Sequence, residues 1–537
     1  MRKPTPLAER LRGFQLFIVI FVAIVVLHGP LLHLPFFWDE AGFYVPAAYD
    51  LAHFHSLIPQ TTLDTGHPPL PAAYLALWLT MVGWAPGWTP FIARLAQLLL
   101  AALALTNVFL LARKISNWQV ATASTIATAI YPVFFAQSSL AHADLAAAAF
   151  TLIGIRLAIE NRADGKKTWA AQFAFCVAVL CKETAIITPL ALGFFELIRR
   201  DAEASRKRLA TALPYLTSIV PLALWLIYHH HVTGRFFGNP EFYKYNVSRA
   251  ITPVRFLLAF MLRLWHLFGT MNMLALTGAM IAAMWFPAVT DEDGERRRIA
   301  IPVQLQFALI MLAHVATFSL LGGALLTRYL LPAYPLLIII AISTLRRRIL
   351  SWQWPTAILV IFFVMALFFD PPYRFAPEDN LTYRDYVTLH QRAADFLQQH
   401  ERDATILTAW PATDELSKTY LGYVQSPLNT FSVPDFTLEE MVRAQAMKSK
   451  YQVVYLFSTK YEAATWFQSE RWDALNRKFF DYHRDLPPDA AAQLLGGRVV
   501  FVAHEKAEWV EIIEMEQGAV ARDSRPVSNN TSHLWCK

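Results

Sequence analysis

Long apolar blocks recur through residues 1–370, each separated from the next by a short polar connection. About 20 predominantly apolar residues are what an α-helix needs to cross the ~30 Å hydrocarbon core of a bilayer. Inside lipid a chain must satisfy its own backbone hydrogen bonds, so such blocks are helical. Read this way, 14–32, 92–111, 120–136, 143–159, 169–181, 184–198, 209–228, 270–288, 303–321, 330–345 and 355–369 give about eleven transmembrane helices. The blocks at 169–181 and 184–198 are short for a crossing. Composition points the same way: 16% of residues are charged, against about 25% in a soluble domain. The net charge of +6 would suit nucleic acid, but the cations lie between apolar blocks, where cytoplasmic loops belong. Nucleic acid is therefore not an expected partner.

Orientation follows from those cations. Arg2, Lys3, Arg10 and Arg12 precede the first block. Arg113–Lys114, Arg162 with Lys166 and Lys167, Arg199 to Arg208, Arg296–Arg298 and Arg346–Arg348 mark every second connection as cytoplasmic. Between Leu31 and Ala93 there is neither Lys nor Arg, so the loop 33–91 is external, and parity puts the C-terminus outside. The first block is long for a signal peptide and lacks a small-residue cleavage pattern, so it reads as a retained span. The apolar stretches 71–84 and 252–269 break this parity if either alone spans. They read as interfacial helices, with Trp anchors at Trp84 and Trp88. Residues 371–537 alternate polar helical stretches with β-like runs at 404–408, 453–457 and 499–503, which predicts a small soluble α/β domain. Cys176, Cys181 and Cys536 imply no disulfide framework. The sequon patterns at Asn246, Asn380 and Asn530 carry no functional weight.

Ionisable residues cluster where the external ends of the helices fall. Asp39 and Glu40 follow the first span among Phe36, Phe37, Trp38, Phe43 and Tyr44. This is either a hydrated loop start in an aromatic belt or a partly desolvated carboxylate suited to base work or metal binding. His67 sits in Gly66-His67-Pro68-Pro69-Leu70-Pro71, where prolines stiffen the backbone. It is either a turn histidine or a phosphate contact. Gln137, Ser138, Ser139, His142 and Asp144 lie between the third and fourth spans, Lys182-Glu183 between the two short ones, and Arg328 at the outer end of the tenth. Arg235, Lys244 and Arg249 occupy another external loop. Carboxylates and cations sharing one depth suit a lipid-linked phosphate: cations hold the phosphate and a carboxylate activates a hydroxyl.

These motifs resemble those of the GT-C glycosyltransferases that use polyprenyl-phosphate sugars, in the branch holding protein O-mannosyltransferases and the aminoarabinose transferases of lipid A. Asp39-Glu40 resembles their acidic first-loop motif, His67-Pro68-Pro69-Leu70 their second loop motif, Ala143-Asp144-Leu145 the acidic start of their fourth span, and Arg328-Tyr329-Leu330-Leu331-Pro332 their late Arg-Tyr motif. Lys182 matches a lysine between their short fifth and sixth spans. The likeness covers roughly residues 1–345. It departs at His67, where the lipid A enzymes carry lysine, and at Glu183, where glycine is usual. The tail is similar to that of bacterial members at Trp410-Pro411-Ala412-Thr413. The resemblance implies a GT-C fold and an inverting hexosyl- or pentosyltransferase of a bacterial inner membrane, its site facing the periplasm. It implies Asp39 as general base. His67, Lys182, Arg328 and Tyr329 become the donor-phosphate residues. Glu40 and Asp144 position acceptor or base, or, with Asp39 and His67, hold a divalent cation; no cofactor is otherwise required. The acceptor would be lipid A, a polysaccharide, a lipid or a protein. The rival readings are a flippase or transporter of lipid-linked sugars, which needs midplane charges and usually internal symmetry, and a polysaccharide ligase or polymerase.

Overall fold

The computed structural model describes residues 6–163, 169–199, 205–240, 252–292, 294–321, 323–462, 464–480 and 482–516. Arg2, Lys3, Lys166, Lys167, Lys244, Arg249, Asn246, Asn530 and Cys536 lie outside the described residues. Every apolar block read from the sequence is largely helical, and the chain is a multi-pass membrane protein. Among the described residues, fewer than eleven of these helices are by themselves long and apolar enough to cross. Four helical stretches, Gly13–Leu31, Thr89–Ile115, Arg208–Thr233 and Ile301–Leu320, are long and apolar enough to cross, and two bent pairs bring the number to as many as six. Other blocks are shorter or carry charges. Trp169–Cys181 is 13 residues long, about 20 Å at 1.5 Å per residue. Ala143–Ala163 is long enough, with 21 residues, but carries Asp144, Arg156 and Glu160; Arg156 Nη1 and Glu160 Oε2 pair at 2.6 Å.

The two bent pairs have readable causes. Trp118–Ile130 and Pro132–Ser139 meet at 68°. Pro132 forces Tyr131 out of the helical region, to ψ 124°. Pro253–Phe268 and Met273–Ala283 meet at 79°, across Met271 and Asn272, whose φ angles are +48° and +64°. The helices Thr89–Ile115, Trp118–Ile130, Ala143–Ala163, Trp169–Cys181 and Tyr334–Arg348 share one apolar core. Alanine at 146–149 keeps its helix thin enough for close packing.

A short hairpin, β1 (Thr290–Asp291) with β2 (Gly294–Glu295), joins two membrane helices. The remaining strands form one sheet near the C-terminus: β3 (Thr405–Ala409), β4 (Asn429–Val433), β5 (Val453–Phe457), β6 (Gly497–Glu505) and β7 (Glu508–Met515), in the order β4-β3-β5-β7-β6. β3 is parallel to both neighbours, while β7 is antiparallel to β5 and β6. β3 and β5 correspond to expected runs and β6 encloses the third. β4 and β7 were not expected: β4 is a polar edge strand, and β7 interrupts its apolar residues with Glu511 and Glu514. Helix Thr382–His400 covers β6 and β7. The sheet does not stand apart from the membrane part. Phe36, Phe37, Ala41 and Val45 of the first loop share an apolar core with Tyr386, Ala409, Tyr423 and Phe457. The Tyr423 hydroxyl donates to the Phe36 carbonyl at 3.0 Å.

Candidate active site

Four chain breaks bring the ionisable groups together. Asp39 precedes a wide π-turn, Glu40–Tyr44. Asp144 stands in the first turn of Ala143–Ala163, after the break at 140–142. Lys182 is extended, at ψ 130°, between Trp169–Cys181 and the single turn Glu183–Ile186. Arg328 lies in the short turn Thr327–Leu330. At each break backbone groups lose helical partners, and an ionisable side chain finds neighbours other than lipid.

Arg328 is the hub, and its side chain is 3% exposed. Its Nη2 donates to Asp39 Oδ2, its Nη1 to Glu378 Oε2 at 2.6 Å, and its Nε lies 3.4 Å from Asp144 Oδ2. Asp144 Oδ1 accepts from Lys182 Nζ at 2.6 Å. The ammonium of Lys182 also sits 4.5 Å from the centre of the Tyr329 ring, a cation–π contact. Arg263 approaches the same ring at 5.5 Å and donates to the Leu326 carbonyl at 2.6 Å, which holds the segment carrying Arg328. Asp39, Asp144, Lys182, Arg328 and Tyr329 therefore form one contiguous cluster.

Glu40 does not join it. Its carboxylate and the Arg94 guanidinium are both fully buried. They pair in a fork, Nη1 to Oε1 at 2.7 Å and Nη2 to Oε2 at 3.0 Å. The amides of Phe37 and Ala141 also donate to Glu40. Every lone pair of Glu40 is engaged in holding the first loop to the 139–141 break, which leaves no room for an acceptor or a metal. Expecting it beside Asp39 followed sequence adjacency; the π-turn aims the two carboxylates apart.

His67 is close by but faces another partner. Its Nδ1 lies 3.0 Å from Glu183 Oε2, and its ring stacks on Tyr44 at 6.3 Å. The Asp64–Gly66 stretch before it is anchored by the helix Ile219–Thr233. His229 Nε2 bonds Asp64 Oδ2 at 2.9 Å, and Trp225 Nε1 donates to the Gly66 carbonyl at 3.0 Å. One cavity is lined by Phe43, Tyr44, Pro59, His67, Ala143 and Trp225. A second is lined by Asp144, Ala148, Thr151, Lys182, Arg328 and His314. His67 thus belongs to the rim of the first cavity and Lys182 and Arg328 to the second.

Two participants, Glu378 and Asp379, were missed. Glu378 comes from beyond the last membrane helix. Burial pushes its carboxyl up to about 8, reinforced by Asp39, Asp379 and Asp144 and opposed by Arg328. The signal was present in Glu378-Asp379, an acidic pair just past an apolar block, as Asp39-Glu40 is. Next to it, Asp379 is raised to about 7 by burial, against the hydroxyl of Thr327 that donates to it. His142 approaches Arg328 Nη1 at 3.2 Å and Gln137 at 2.9 Å. Asp144 Oδ2 and Arg328 Nε face each other as an ion pair at 3.4 Å without a hydrogen bond, and Glu378 Oε1 has no hydrogen-bond partner in the protein. Buried polar atoms are rarely left so, and a charged ligand between Asp144, Lys182 and Arg328 would engage the cation among them. A divalent ion fits less well. Asp39, Glu40 and His67 face Arg328, Arg94 and Glu183 respectively, and among the described residues no three His, Cys, Asp or Glu side chains converge as metal ligands.

Residues 66–229 match the family described as dolichyl-phosphate-mannose-protein mannosyltransferase. Among solved structures, the fold is similar to that of ArnT from Cupriavidus metallidurans in the apo state, with TM-score 0.54 and 15% identity over 92% of this chain and 97% of that one. The same protein bound to undecaprenyl phosphate matches at TM-score 0.54 and 15% identity, over 95% and 98%. The Archaeoglobus fulgidus oligosaccharyltransferase lies further off, at TM-score 0.45 and 11% identity over 82% of this chain and 67% of that one. No curated protein sequence matches the chain. The resemblance drawn from the motifs is borne out in fold and in family match.

Proposed function

We propose that this chain is an inverting glycosyltransferase that moves a sugar from a polyprenyl-phosphate donor to an acceptor outside a bacterial inner membrane. The observation that carries the reading is the single cluster of Asp39, Asp144, Lys182 and Arg328, in which two cations and two carboxylates from four separate chain breaks meet. Lys182 and Arg328 supply the cations for the donor phosphate, and Tyr329 steadies the ammonium through its ring face. Asp144 bridges both cations and fixes their spacing. The donor phosphate takes the contact that carboxylates now make with Arg328. Asp39, partly exposed and held at Arg328, accepts the proton of the acceptor hydroxyl or amine. The freed lone pair attacks the anomeric carbon from the face opposite the phosphate. The carbon–oxygen bond to the phosphate breaks as the new one forms, and its electrons leave on the phosphate, where Lys182 and Arg328 offset the added charge.

The like architecture of ArnT, solved with undecaprenyl phosphate, supports a lipid-phosphate donor. His67, on the rim of the first cavity, contacts sugar or acceptor in this reading rather than the phosphate. The test is Asp39→Asn, purified in nanodiscs and assayed against a panel of undecaprenyl-phosphate sugars. Turnover is expected to fall by about 10²–10⁴-fold, the range a general base contributes, with undecaprenyl phosphate binding retained. Wild-type turnover in that variant would rule out the role given to Asp39.

A further inference from the structure

Trp38, directly before Asp39, has a φ of +40°. A bulky residue persists in the left-handed region only where its surroundings over-determine it. Here the surroundings are three rings from the C-terminal domain. Trp410 meets the Trp38 ring edge-on at 5.7 Å, Tyr386 at 5.6 Å and Phe457 at 6.3 Å. Trp410 also reaches past Asp39 to the π-turn. It packs on Phe43 at 4.7 Å and lies so close over Gly42 that a methyl group there would overlap the indole. The indole is thus wedged between Trp38 and Gly42–Phe43, the residues on either side of the Asp39–Ala41 stretch.

We propose that Trp38 and Trp410 form an aromatic clamp by which the C-terminal domain positions Asp39 at Arg328. The proposal rests on the reading of Asp39 as the base. The two tryptophans are positioning residues: their rings act on the backbone that carries the carboxylate. The Trp410-Pro411-Ala412-Thr413 motif acquires a role that an acceptor-binding tail would not require. Glycine at 42 is needed because the indole occupies the space a side chain would take.

Hydrogen exchange on the full chain in nanodiscs tests this in Trp410→Ala, Trp410→Phe and Gly42→Ala. The reporters are the amides of the turn, Glu40 N–H to the Phe37 carbonyl at 2.8 Å and Gly42 N–H to the Trp38 carbonyl at 2.9 Å. Trp410→Ala and Gly42→Ala are expected to speed exchange across 38–44 by about tenfold or more, while β5 and β7 change by less than about twofold. Trp410→Phe should restore most of the protection. With an undecaprenyl-phosphate sugar that the wild type consumes, Trp410→Ala should lower kcat with little change in KM. Unchanged exchange at 38–44, or loosening shared equally by β5 and β7, overturns the clamp. An active Asp39→Asn beside a loosened Trp410→Ala removes the base reading and leaves the clamp. An inactive Asp39→Asn beside a silent Trp410→Ala does the reverse.

Discussion

Asp39 and Glu40 are adjacent carboxylates with opposite fates, and the difference is which side of a π-turn each occupies. Asp39 keeps some exposure, 18% of its side chain, while Glu40 and Arg94 have none. Removing one partner of a buried ion pair leaves an uncompensated charge and costs about 3–5 kcal/mol. Glu40→Gln is therefore expected to lower thermal stability and the yield of folded protein. Asp39→Asn should leave both near wild type and act on turnover alone. A stable, inactive Glu40→Gln would place Glu40 back in the chemistry. Trp38 gives a second residue-scale prediction. At φ +40° alanine keeps the steric cost of a Cβ and glycine does not, a difference of about 1 kcal/mol. Trp38→Gly should melt no lower than Trp38→Ala, reversing the usual order; a clearly lower melting temperature for the glycine variant would show that this backbone angle carries no strain. Position at the ends of apolar blocks, together with the motif resemblance, singled out Asp39, Asp144, Lys182 and Arg328, which the structure brings into contact. It could not find that Arg94, the first cation after the acidic loop, belongs to Glu40, since the pairing depends on a turn geometry that no side-chain pattern encodes.

At the scale of elements the breaks matter more than the helices. The sequence pattern located every apolar block, because hydrophobicity is additive along a chain. It did not show where a break such as Tyr131–Pro132 or Met271–Asn272 turns one long segment into a bent pair. The strands β3 and β5 were legible as buried apolar runs, whereas β4 and β7 were not, being an edge and a strand interrupted by glutamates. The loop holding His67 shows what such elements contribute. It has little regular structure of its own, and its shape comes from Asp64 on His229 and from Gly66 under Trp225. Gly66, at φ +72°, lies against the backbone of Gly238 with no space for a Cβ. Gly66→Ala should therefore displace His67 from Glu183 and raise KM for sugar donor, with the affinity for undecaprenyl phosphate itself changed by less than about threefold, or roughly 0.65 kcal/mol. Equal losses for the bare lipid phosphate would move His67 to the phosphate after all.

For the whole molecule, the two parts of the chain meet at Arg328, which takes Asp39 and Asp144 from the membrane part and Glu378 from the segment leading to the sheet. Three carboxylates face Arg328 and Lys182, so the charge available to a phosphate depends on how many carboxylates are ionised. Glu378 is held high, at about 8, by burial and by its acidic neighbours. Its folded value lies above its unfolded one, 4.5, so the folded state binds the extra proton throughout the interval between them. By linkage, its contribution to stability is full below about 4.5, is lost as pH rises through about 8, and is flat above that. Binding should follow the same direction. Protonated Glu378 leaves Arg328 a larger share of its charge for the incoming phosphate, so undecaprenyl phosphate should bind more tightly as pH falls from 9 to 7. A glutamine at 378 is neutral throughout. Titrating undecaprenyl phosphate into nanodisc-embedded wild type and Glu378→Gln across that range separates the causes. A slope that flattens in the variant assigns the titration to Glu378 and makes the C-terminal segment part of the donor site. A slope that survives unchanged assigns it to another group, and Asp379, raised to about 7 beside it, is then the residue to replace.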